Sequence, residues 1–294
     1  MGRLAVINGV SHAPEQAKVS IYDRGFLYGD SVFETIRTYG GVLFELLEHL
    51  RRLERSAASL GIAMPVPAAQ LGGEAERAVR QADNPESYVR LMLTRGSGPL
   101  GLDPELCSEP PLRVIMVEPL VPPPPALYQK GITTVCVRTV RASDAAQSAK
   151  IGNYLASALA LQHARQRGAD EALVVNREGI IVEGTTANVF FVQGTKLITP
   201  PLEIGILPGI TRKIVLDLAR ELALDMELRA LTPALAHAMD EVFFTSSIRE
   251  LVPIVSIDGH RIGTGKPGPV TRRLHLALRE LAGLKDAPPP WQAP

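Results

Sequence analysis

The segment AAQSAKIGNY, residues 145–154, sets one lysine, Lys150, among small and uncharged side chains. Lysine is scarce in this chain, with seven against twenty-four arginines, and an apolar stretch with helical spacing follows the segment. Burial disfavours the ammonium form of a lysine, and a neutral amine can attack a carbonyl carbon. The segment therefore predicts a reactive amine, the alternative being a solvated lysine ahead of a helix.

Three other segments carry groups that complement such an amine. Arg52 stands among the apolar positions of a predicted helix, where a guanidinium needs an anion to face. LPGITR, residues 207–212, opens a helix with glycine and threonine, whose N–H and hydroxyl groups can hold a phosphate. Glu183 lies between an apolar strand and a turn of small residues, where a carboxylate can pair with a cationic ring nitrogen. Each fits a structural role alone, but together they are what pyridoxal 5'-phosphate (PLP) requires.

Composition excludes several other classes of protein. The 31 basic and 31 acidic side chains cancel, so no basic field favours nucleic acid and no polybasic anchor favours a membrane. Cys107 and Cys136 lack the spacing of a disulfide framework or a cysteine-rich zinc site, and no metal site is predicted. The N-terminus lacks the apolar centre of a secretory signal. These features predict a cytoplasmic enzyme or binding protein.

A run of four prolines marks the predicted domain boundary. In VPPPP, residues 121–125, consecutive prolines cannot supply the hydrogen bonds of a sheet and favour stiff, extended chain. The sequence therefore predicts a first domain over residues 1–120, a linker over 121–127 and a second domain over 128–286. Four prolines in residues 287–294 predict a flexible tail.

Local patterns predict individual elements within these domains. Strand-like residues 31–39 and 42–44 flank Gly40-Gly41, a pair that permits positive φ and so indicates a hairpin. Apolar residues recur at helical spacing over residues 45–60. Further strands are predicted over 18–23 and 132–140. Other helices are predicted over 67–82, 153–167, 209–222 and 269–281.

Two phosphate-binding motifs match only in part. GSGPLG, residues 96–101, satisfies GxGxxG, but the proline-containing sequence after it cannot open the long helix that a dinucleotide site needs. GTGK, residues 263–266, is followed by proline where a phosphate loop has serine or threonine. The first is predicted to be a loop and the second a turn.

Seven segments in order make the chain resemble a known family. They are DRGFLYGDSVFETIR, EHLRRLERS, YVRLMLTRGSGPLGLDP, KIGNYL, EGTTANVF, LPGITR and DEVFFTSSIRELVPI. They resemble the class IV, or fold-type IV, PLP-dependent aminotransferases, which include branched-chain and D-amino acid aminotransferases and aminodeoxychorismate lyase. The resemblance spans nearly the whole chain. It implies an α/β (α+β) fold with a smaller N-terminal domain, a larger C-terminal domain and the cofactor in the cleft between them.

The resemblance also implies roles for individual residues. Lys150 is expected to be the Schiff-base lysine and proton shuttle, and Tyr154 to hydrogen-bond the phenolic oxygen of PLP. Glu183 is expected at the pyridine nitrogen. Around the phosphate, the HxxRL spacing selects Arg52 over the arginines beside it, and the other expected contacts are Ile210, Thr211 and Ser247.

Substrate contacts are less uniform across the family. Tyr28 and Phe33 match the pocket wall of branched-chain aminotransferases, and Tyr88 and Arg90 match residues those enzymes place near the substrate carboxylate. These four residues are therefore expected to bind substrate. They favour a branched-chain donor.

Other positions depart from that pattern. In TSSIRE, residues 245–250, Ile248 replaces a small residue of the GTAAE-type loop beside the carboxylate site, and Arg249 adds a charge. Arg95 matches the arginine that D-amino acid aminotransferases use for the α-carboxylate, but Ser97 stands where those enzymes have histidine. Arg95 therefore either binds a substrate carboxylate or fixes a loop.

The reaction implied is ping-pong transamination through Lys150. An amino group would pass from an amino acid, foremost a branched-chain L-amino acid, to a 2-oxo acid such as 2-oxoglutarate. The alternatives are a D-amino acid or (R)-amine aminotransferase, aminodeoxychorismate lyase, and a PLP-binding protein without turnover. The resemblance further implies a homodimer or higher homo-oligomer, with loop 96–103 reaching a neighbouring subunit's site. No nucleic acid or membrane partner is expected.

Overall fold

The computed structural model describes residues 2–139 and 148–292. The chain divides into two units, the first and smaller of which comprises Met1–Val121 and Ser148–Tyr154. The second comprises Pro122–Gln147 and Leu155–Pro294. The sequence places residues 148–154 in the second domain, whereas the structure places them in the first.

A six-stranded antiparallel sheet forms the first unit, in the order β2-β1-β6-β5-β3-β4. Buried and half-buried residues alternate along much of β5, which is the pattern of a strand with two different faces. The predicted hairpin around Gly40-Gly41 is confirmed, with Thr38 opposite Leu43. The strands are β1 (Leu4–Ile7), β2 (Val10–His12), β3 (Ser31–Tyr39), β4 (Val42–Leu43), β5 (Ser87–Thr94) and β6 (Arg113–Pro119).

Two long helices contribute to the core of this unit. Leu50, Leu53 and Ala57 recur every three or four residues along one helix and join the same apolar cluster as Val32 and Ile36 of β3. Just past the end of that helix the backbone takes a φ of +63°, at a position where the chain has glycine. The helices are α1 (Arg24–Tyr28), α2 (Leu46–Ser59) and α3 (Ala68–Ala82), and the latter two match their predictions.

Residues 148–154 join the first unit because they pair with the edge of β3. Ile151 forms an antiparallel bridge with Val32. The Phe33 N–H donates to the Lys150 carbonyl at 3.0 Å, and the Gly152 N–H donates to the Ser31 carbonyl at 2.7 Å. A Cβ at Gly152 would lie 2.0 Å from Ser31 Oγ, so the close approach requires glycine. Backbone pairing of this kind has no signature in local sequence.

A nine-stranded mixed sheet forms the second unit, in the order β12-β11-β10-β13-β14-β7-β8-β9 with β15 paired to β14. Phe190 and Phe243 stand opposite each other in register and stack at 5.2 Å between ring centroids. The strands are β7 (Ile132–Arg138), β8 (Glu171–Val175), β9 (Ile181–Gly184), β10 (Asn188–Gln193), β11 (Lys196–Thr199), β12 (Asp225–Leu228), β13 (Glu241–Ser246), β14 (Glu250–Ile257) and β15 (His260–Arg261). Val140, predicted to end a strand, lies outside the described residues.

Helices cover this sheet at several points. Ala160 and Ala164 of one helix pack with Val135 and Ala172 of neighbouring strands β7 and β8. The three predicted helices of this unit are confirmed to within two residues at each end. The helices are α4 (Ala126–Gln129), α5 (Leu155–Gln166), α6 (Ile210–Glu221), α7 (Pro233–Ala236) and α8 (Pro269–Leu281).

One prediction about an irregular segment is wrong. The strand predicted over residues 18–23 is instead a turn, in which the Asp23 N–H donates to the Ser20 carbonyl and the Asp23 side chain accepts from Gly25 to cap α1. The C-terminal tail is described through Gln292, and its flexibility stays a prediction. Its short helix Pro290–Gln292 brings the Trp291 ring to 5.3 Å from His275, against the core of the second unit.

No helix in residues 2–139 and 148–292 is long and apolar enough to cross a membrane.

Trp291 is expected to stabilise the second unit. Trp291→Ala removes the contact with His275 and uncovers core side chains, so it should lower the free energy of unfolding by about 2 kcal/mol, less than for a fully buried tryptophan. Chemical denaturation measures the change, with Val121→Ala, at an 81% exposed position, as the matched control. Equal stability of the two variants would contradict the packing role of the tail.

Candidate active site

In the first unit, the Lys150 amine is held above an aromatic ring. Lys150 Nζ donates to Tyr154 Oη at 3.1 Å and lies 4.5 Å from the centroid of the Phe33 ring. The backbone is fixed on both sides, because the Lys150 carbonyl accepts from Phe33 and the Lys150 N–H donates to Ser56 Oγ at 3.2 Å. Lys150 is half-buried. The amine is nonetheless directed by its neighbours.

Two further predicted residues share the sheet face of Phe33. The register of β3 and β5 sets Thr35 opposite Arg90 and Arg37 opposite Tyr88, and side chains two apart on a strand share a face. The Arg90 guanidinium lies 3.8 Å from the Phe33 ring centroid. Arg90 Nε is buried without a hydrogen-bond partner in the described part of the chain. This face therefore combines an amine, two aromatic rings and an arginine.

Arg52 belongs to a buried charge cluster built around Glu34, the residue after Phe33 on β3. Its Nε and Nη2 donate to the two carboxylate oxygens of Glu34 at 2.7 and 2.6 Å. His49 Nδ1 lies 2.7 Å from Glu34 Oε2, and all three side chains are buried. Glu34 and His49 were not predicted as site residues, although a carboxylate between the core positions Val32 and Ile36 is a signal for a buried ion pair.

Burial and the contacts within the cluster shift the pKa values of Glu34 and His49. Burial alone would raise the pKa of Glu34, but the charge and hydrogen bonds of Arg52, with the hydrogen bond of His49, lower it to about 2. Burial lowers the pKa of His49, more than the Glu34 carboxylate raises it, and the charges of Arg52 and Lys150 add to the lowering. At neutral pH the cluster therefore holds an ionised carboxylate and a neutral imidazole.

Arg95 fixes a loop in this structure. Its Nε and Nη2 donate to the Asp30 carboxylate at 2.7 and 3.2 Å. Its Nη2 and Nη1 also donate to the Leu60 and Gly61 carbonyls at 2.7 and 2.9 Å. All three nitrogens are engaged within the unit. Of the two predicted roles, these contacts favour the loop-fixing one.

Tyr28 is likewise tied to a loop. Its hydroxyl accepts from the Gly101 N–H at 3.1 Å, and the Arg24 guanidinium lies 5.0 Å from its ring centroid. Arg24 also donates to the carbonyls of Gly101 and Leu102 at 2.9 Å each. Tyr28 therefore packs beside the GSGPLG segment, which forms a loop as predicted.

In the second unit, Glu183 ends a buried strand and is held by two donors. Its Oε2 accepts from the Leu207 N–H at 3.2 Å and from Asn188 Nδ2 at 3.4 Å. Asn188 also donates to the Leu207 carbonyl at 2.9 Å, which ties β10 to the segment before α6. Asn188 was not predicted as a site residue, although it belongs to the EGTTANVF motif. Glu183 is 4% exposed.

Helix α6 begins just after Leu207 along the chain. Gly209 is the N-cap, and Ile210 and Thr211 begin the first turn, where backbone N–H groups have no partner within the helix. A Cβ at Gly209 would lie 2.0 Å from Asn188 Oδ1. Glycine therefore lets the helix start approach the Glu183 carboxylate closely, with a positive helix end beside it.

Ser247 and Ile248 lie in the three-residue loop between β13 and β14, where Ser246 pairs with Glu250. Both are half-buried. Arg249 in the same loop donates from Nη1 to Glu171 Oε2 at 3.1 Å and from Nη2 to Thr186 Oγ1 at 3.2 Å. The loop is therefore connected to the turn that follows Glu183.

The His49 and Glu34 shifts predict a loss of stability in acid. As pH falls through 6.5, His49 takes up a proton in the unfolded protein, whereas in the folded protein its lowered pKa keeps the imidazole neutral. The free energy of unfolding therefore falls as pH drops below 6.5. The Glu34 contribution is present above pH 4.5 and is lost as pH falls towards 2. In His49→Gln, the part of the fall in unfolding free energy that comes from His49 should be absent, which is up to about 1.4 kcal/mol per pH unit. Denaturant unfolding at pH 7, 6 and 5 measures it.

The control for that experiment is His163→Gln, because His163 is exposed on α5. An unchanged pH dependence in His49→Gln, or the same reduction in both variants, would contradict the assignment to His49.

Comparisons with known proteins agree on the family. The sequence matches the family Amino-transferase class IV over residues 31–257. A provisionally named branched-chain-amino-acid aminotransferase of Methanocaldococcus jannaschii is 39% identical, covering 94% of this chain and 95% of that protein. The D-alanine aminotransferase of Bacillus licheniformis is 34% identical, covering 93% and 95%.

A solved structure gives the same result. The branched-chain amino acid aminotransferase of Thermobaculum terrenum, in its PLP form, superposes with a TM-score of 0.85 at 30% identity, covering 97% of this chain and 95% of that one. Fold, motifs and sequence therefore converge. The chain belongs to the class IV aminotransferases, a family of PLP-dependent enzymes with the fold-type IV architecture.

Proposed function

We propose that this enzyme moves the amino group of a branched-chain L-amino acid to a 2-oxo acid such as 2-oxoglutarate. The observation that carries the proposal is the Lys150 amine, hydrogen-bonded to Tyr154 and placed over the Phe33 ring. A neutral lysine amine is the nucleophile and base that PLP enzymes use. The donor class is supported by relatives named for branched-chain amino acids.

The residues present fit PLP. The cofactor carries an aldehyde, a phenolic oxygen, a ring nitrogen and a phosphate. The chain offers an amine at Lys150, a hydroxyl at Tyr154, a buried carboxylate at Glu183 and a helix start behind Gly209, where a Cβ would meet Asn188. Backbone N–H groups at such a helix start bind phosphate.

We assign the contacts to the cofactor accordingly. Lys150 would hold the aldehyde carbon, Tyr154 the phenolic oxygen and Glu183 the ring nitrogen. When bound, PLP supplies an electron sink for the carbanion that forms at the substrate Cα. The residues assigned to the phosphate are Arg52, Ile210, Thr211 and Ser247.

The chain's own groups then divide the proton chemistry. Lys150 Nζ accepts the proton that leaves the substrate Cα, and its hydrogen bond to Tyr154 Oη keeps it in place between transfers. Glu183 would face the protonated ring nitrogen, and it is held in place for this role because the Leu207 N–H and Asn188 Nδ2 both donate to its Oε2. Two positioned groups thus control protons at opposite ends of the reaction.

The different contacts of two arginines, Arg95 and Arg90, support the branched-chain donor. Arg95 matches the carboxylate-binding arginine of D-amino acid aminotransferases. Its three guanidinium nitrogens all donate within the chain, to Asp30 and to two backbone carbonyls. Arg90 Nε lacks a partner among the described residues, and Arg90 shares the face of Phe33 and Tyr88. We therefore assign Arg90 and Tyr88 to the donor carboxylate, with Tyr28, Phe33 and Ile248 at the side-chain pocket.

A D-amino acid donor is the second candidate, because the D-alanine aminotransferase of Bacillus licheniformis is 34% identical over nearly the whole chain.

We further propose that the enzyme is a homodimer in the cytoplasm. Leu100 and Leu102, at 70% and 80% exposure, give loop 96–103 the apolar surface of a subunit contact. The free thiols of Cys107 and Cys136 fit the reducing conditions of the cytoplasm.

Lys150 is expected to carry the cofactor covalently. Borohydride reduction of the native protein should add the cofactor to the peptide containing KIGNYL, and Lys150→Ala should abolish both the adduct and turnover. Peptide mass spectrometry measures the adduct, and Lys130→Ala, at an exposed lysine, is the matched control. An adduct on another peptide of the fully loaded protein would contradict the assignment.

Donor preference tests the proposed substrate class. Each donor is mixed with the PLP form without acceptor, and the carbonyl product released is quantified: a 2-oxo acid from an amino acid, a ketone from an amine and pyruvate from aminodeoxychorismate. L-leucine and L-valine should react fastest, since Arg95 is not available to a D-amino acid. The comparison donors are D-alanine, an (R)-amine and aminodeoxychorismate. Faster reaction with D-alanine would replace the proposal with the second candidate, and no reaction with any donor would contradict both.

A further inference from the structure

Arg249 connects two loops that carry separate parts of the site. It lies in the hairpin loop 247–249 and reaches the turn 184–187, which follows Glu183 along the chain. One guanidinium nitrogen donates to Glu171 Oε2 at 3.1 Å and another to Thr186 Oγ1 at 3.2 Å. The planar guanidinium holds both partners in one geometry. Arg249 thus joins a strand, a turn and the hairpin loop.

Glu171 makes this connection a fixed one. It is 4% exposed, and its second oxygen accepts from Thr185 Oγ1 at 2.7 Å. A buried carboxylate is costly without a cation, so Glu171 holds Arg249 strongly in place. Thr185 and Thr186 each contact one member of the pair. The turn after Glu183 is therefore held by the same ion pair that holds the hairpin loop.

The backbone of the hairpin loop is held at the same residue. The Arg249 N–H donates to Ser246 Oγ at 3.3 Å, and its carbonyl accepts from Tyr128 Oη at 3.0 Å. Arg249 is thus fixed through its backbone and its side chain together. Because the two residues are adjacent in the chain, this anchoring also restrains the backbone of Ile248, the residue before it.

We propose that Arg249 is a positioning residue that fixes Ile248 as a wall of the donor pocket and thereby limits the size of the donor side chain. The inference rests on the proposed function, which assigns Ile248 to that pocket. It also explains why the loop departs from the GTAAE type. A small residue at position 249 would leave Glu171 without its cation, so Arg249 and Glu171 function as a pair.

The test compares donors of different size. Arg249→Ala frees the loop, so Ile248 can retreat and a larger side chain can enter. The ratio of kcat/KM for L-phenylalanine to that for L-valine should rise roughly tenfold, because pocket fit of this kind is worth about that factor. The change should lie in KM, with kcat for L-leucine nearly unchanged, since Lys150 and Glu183 are untouched.

Two readouts separate positioning from general damage. The affinity of the PLP form for 4-methylvalerate, a carboxylic acid without an amino group, should fall with the rise in KM for L-leucine. Hydrogen exchange of the peptide containing residues 247–249 should become faster, while the peptide containing KIGNYL stays unchanged. A uniform increase in exchange, or a fall in kcat alone, would overturn the proposal.

Further variants keep the test decisive if Arg249→Ala fails to fold. Arg249→Lys keeps a cation for Glu171 but cannot also reach Thr186, so its selectivity should be intermediate. Glu171→Gln should shift selectivity in the same direction, and the double variant Arg249→Ala/Glu171→Gln should shift it no further than Arg249→Ala alone. Arg177→Ala, at an exposed turn of the same unit, is the matched control.

The outcomes distinguish this inference from the proposed function. If the unaltered enzyme does not use L-leucine, the proposed donor class fails. If it uses L-leucine but selectivity, 4-methylvalerate affinity and loop exchange are the same in Arg249→Ala and Arg177→Ala, the positioning role of Arg249 fails and the donor class stands.

Discussion

The pairing of residues 150–152 with the edge of β3 is the constraint on which the reactive amine depends. Three backbone contacts set this segment beside Ser31, Val32 and Phe33, and Gly152 is needed because any side chain would collide with Ser31. Since Lys150 and Phe33 are joined through the backbone, the amine lies over the ring. A flexible lysine on an unpaired segment would lose this placement and the entropy advantage that comes with it.

Two of the buried carboxylates, one in each unit, are each paired with an arginine and a further hydrogen-bond partner. Glu34 has Arg52 and His49, and Glu171 has Arg249 and Thr185. Such groups cost free energy relative to a well-packed apolar core, so their presence indicates a requirement other than stability. In both cases the carboxylate orients an arginine, and that arginine belongs to a segment assigned to cofactor or substrate.

Elements with a local signal could be predicted from the sequence, and elements set by distant partners could not. The β3–β4 hairpin and α2 follow from a glycine pair and from helical spacing, both visible over a few residues. The strand expected at 18–23 fails because Asp23 caps a helix instead. The role of Arg95 depends on Asp30 and Leu60, which are remote in sequence, so the motif alone left two roles open.

Donor choice is the property for which family membership gives least guidance. Relatives named for branched-chain amino acids and for D-alanine share this chain's length and match it at 39% and 34% identity. Members of one family can therefore be named for different donors. On the proposed function, donor choice in this chain depends on which arginine can bind a carboxylate and on how firmly the pocket wall is held. Here Arg95 is engaged while Arg90 Nε has no partner in the described part of the chain, and Arg249 holds the loop of Ile248. On the proposed function, donor specificity in this chain therefore rests on the hydrogen bonds behind the pocket, because those bonds decide which groups remain for the substrate.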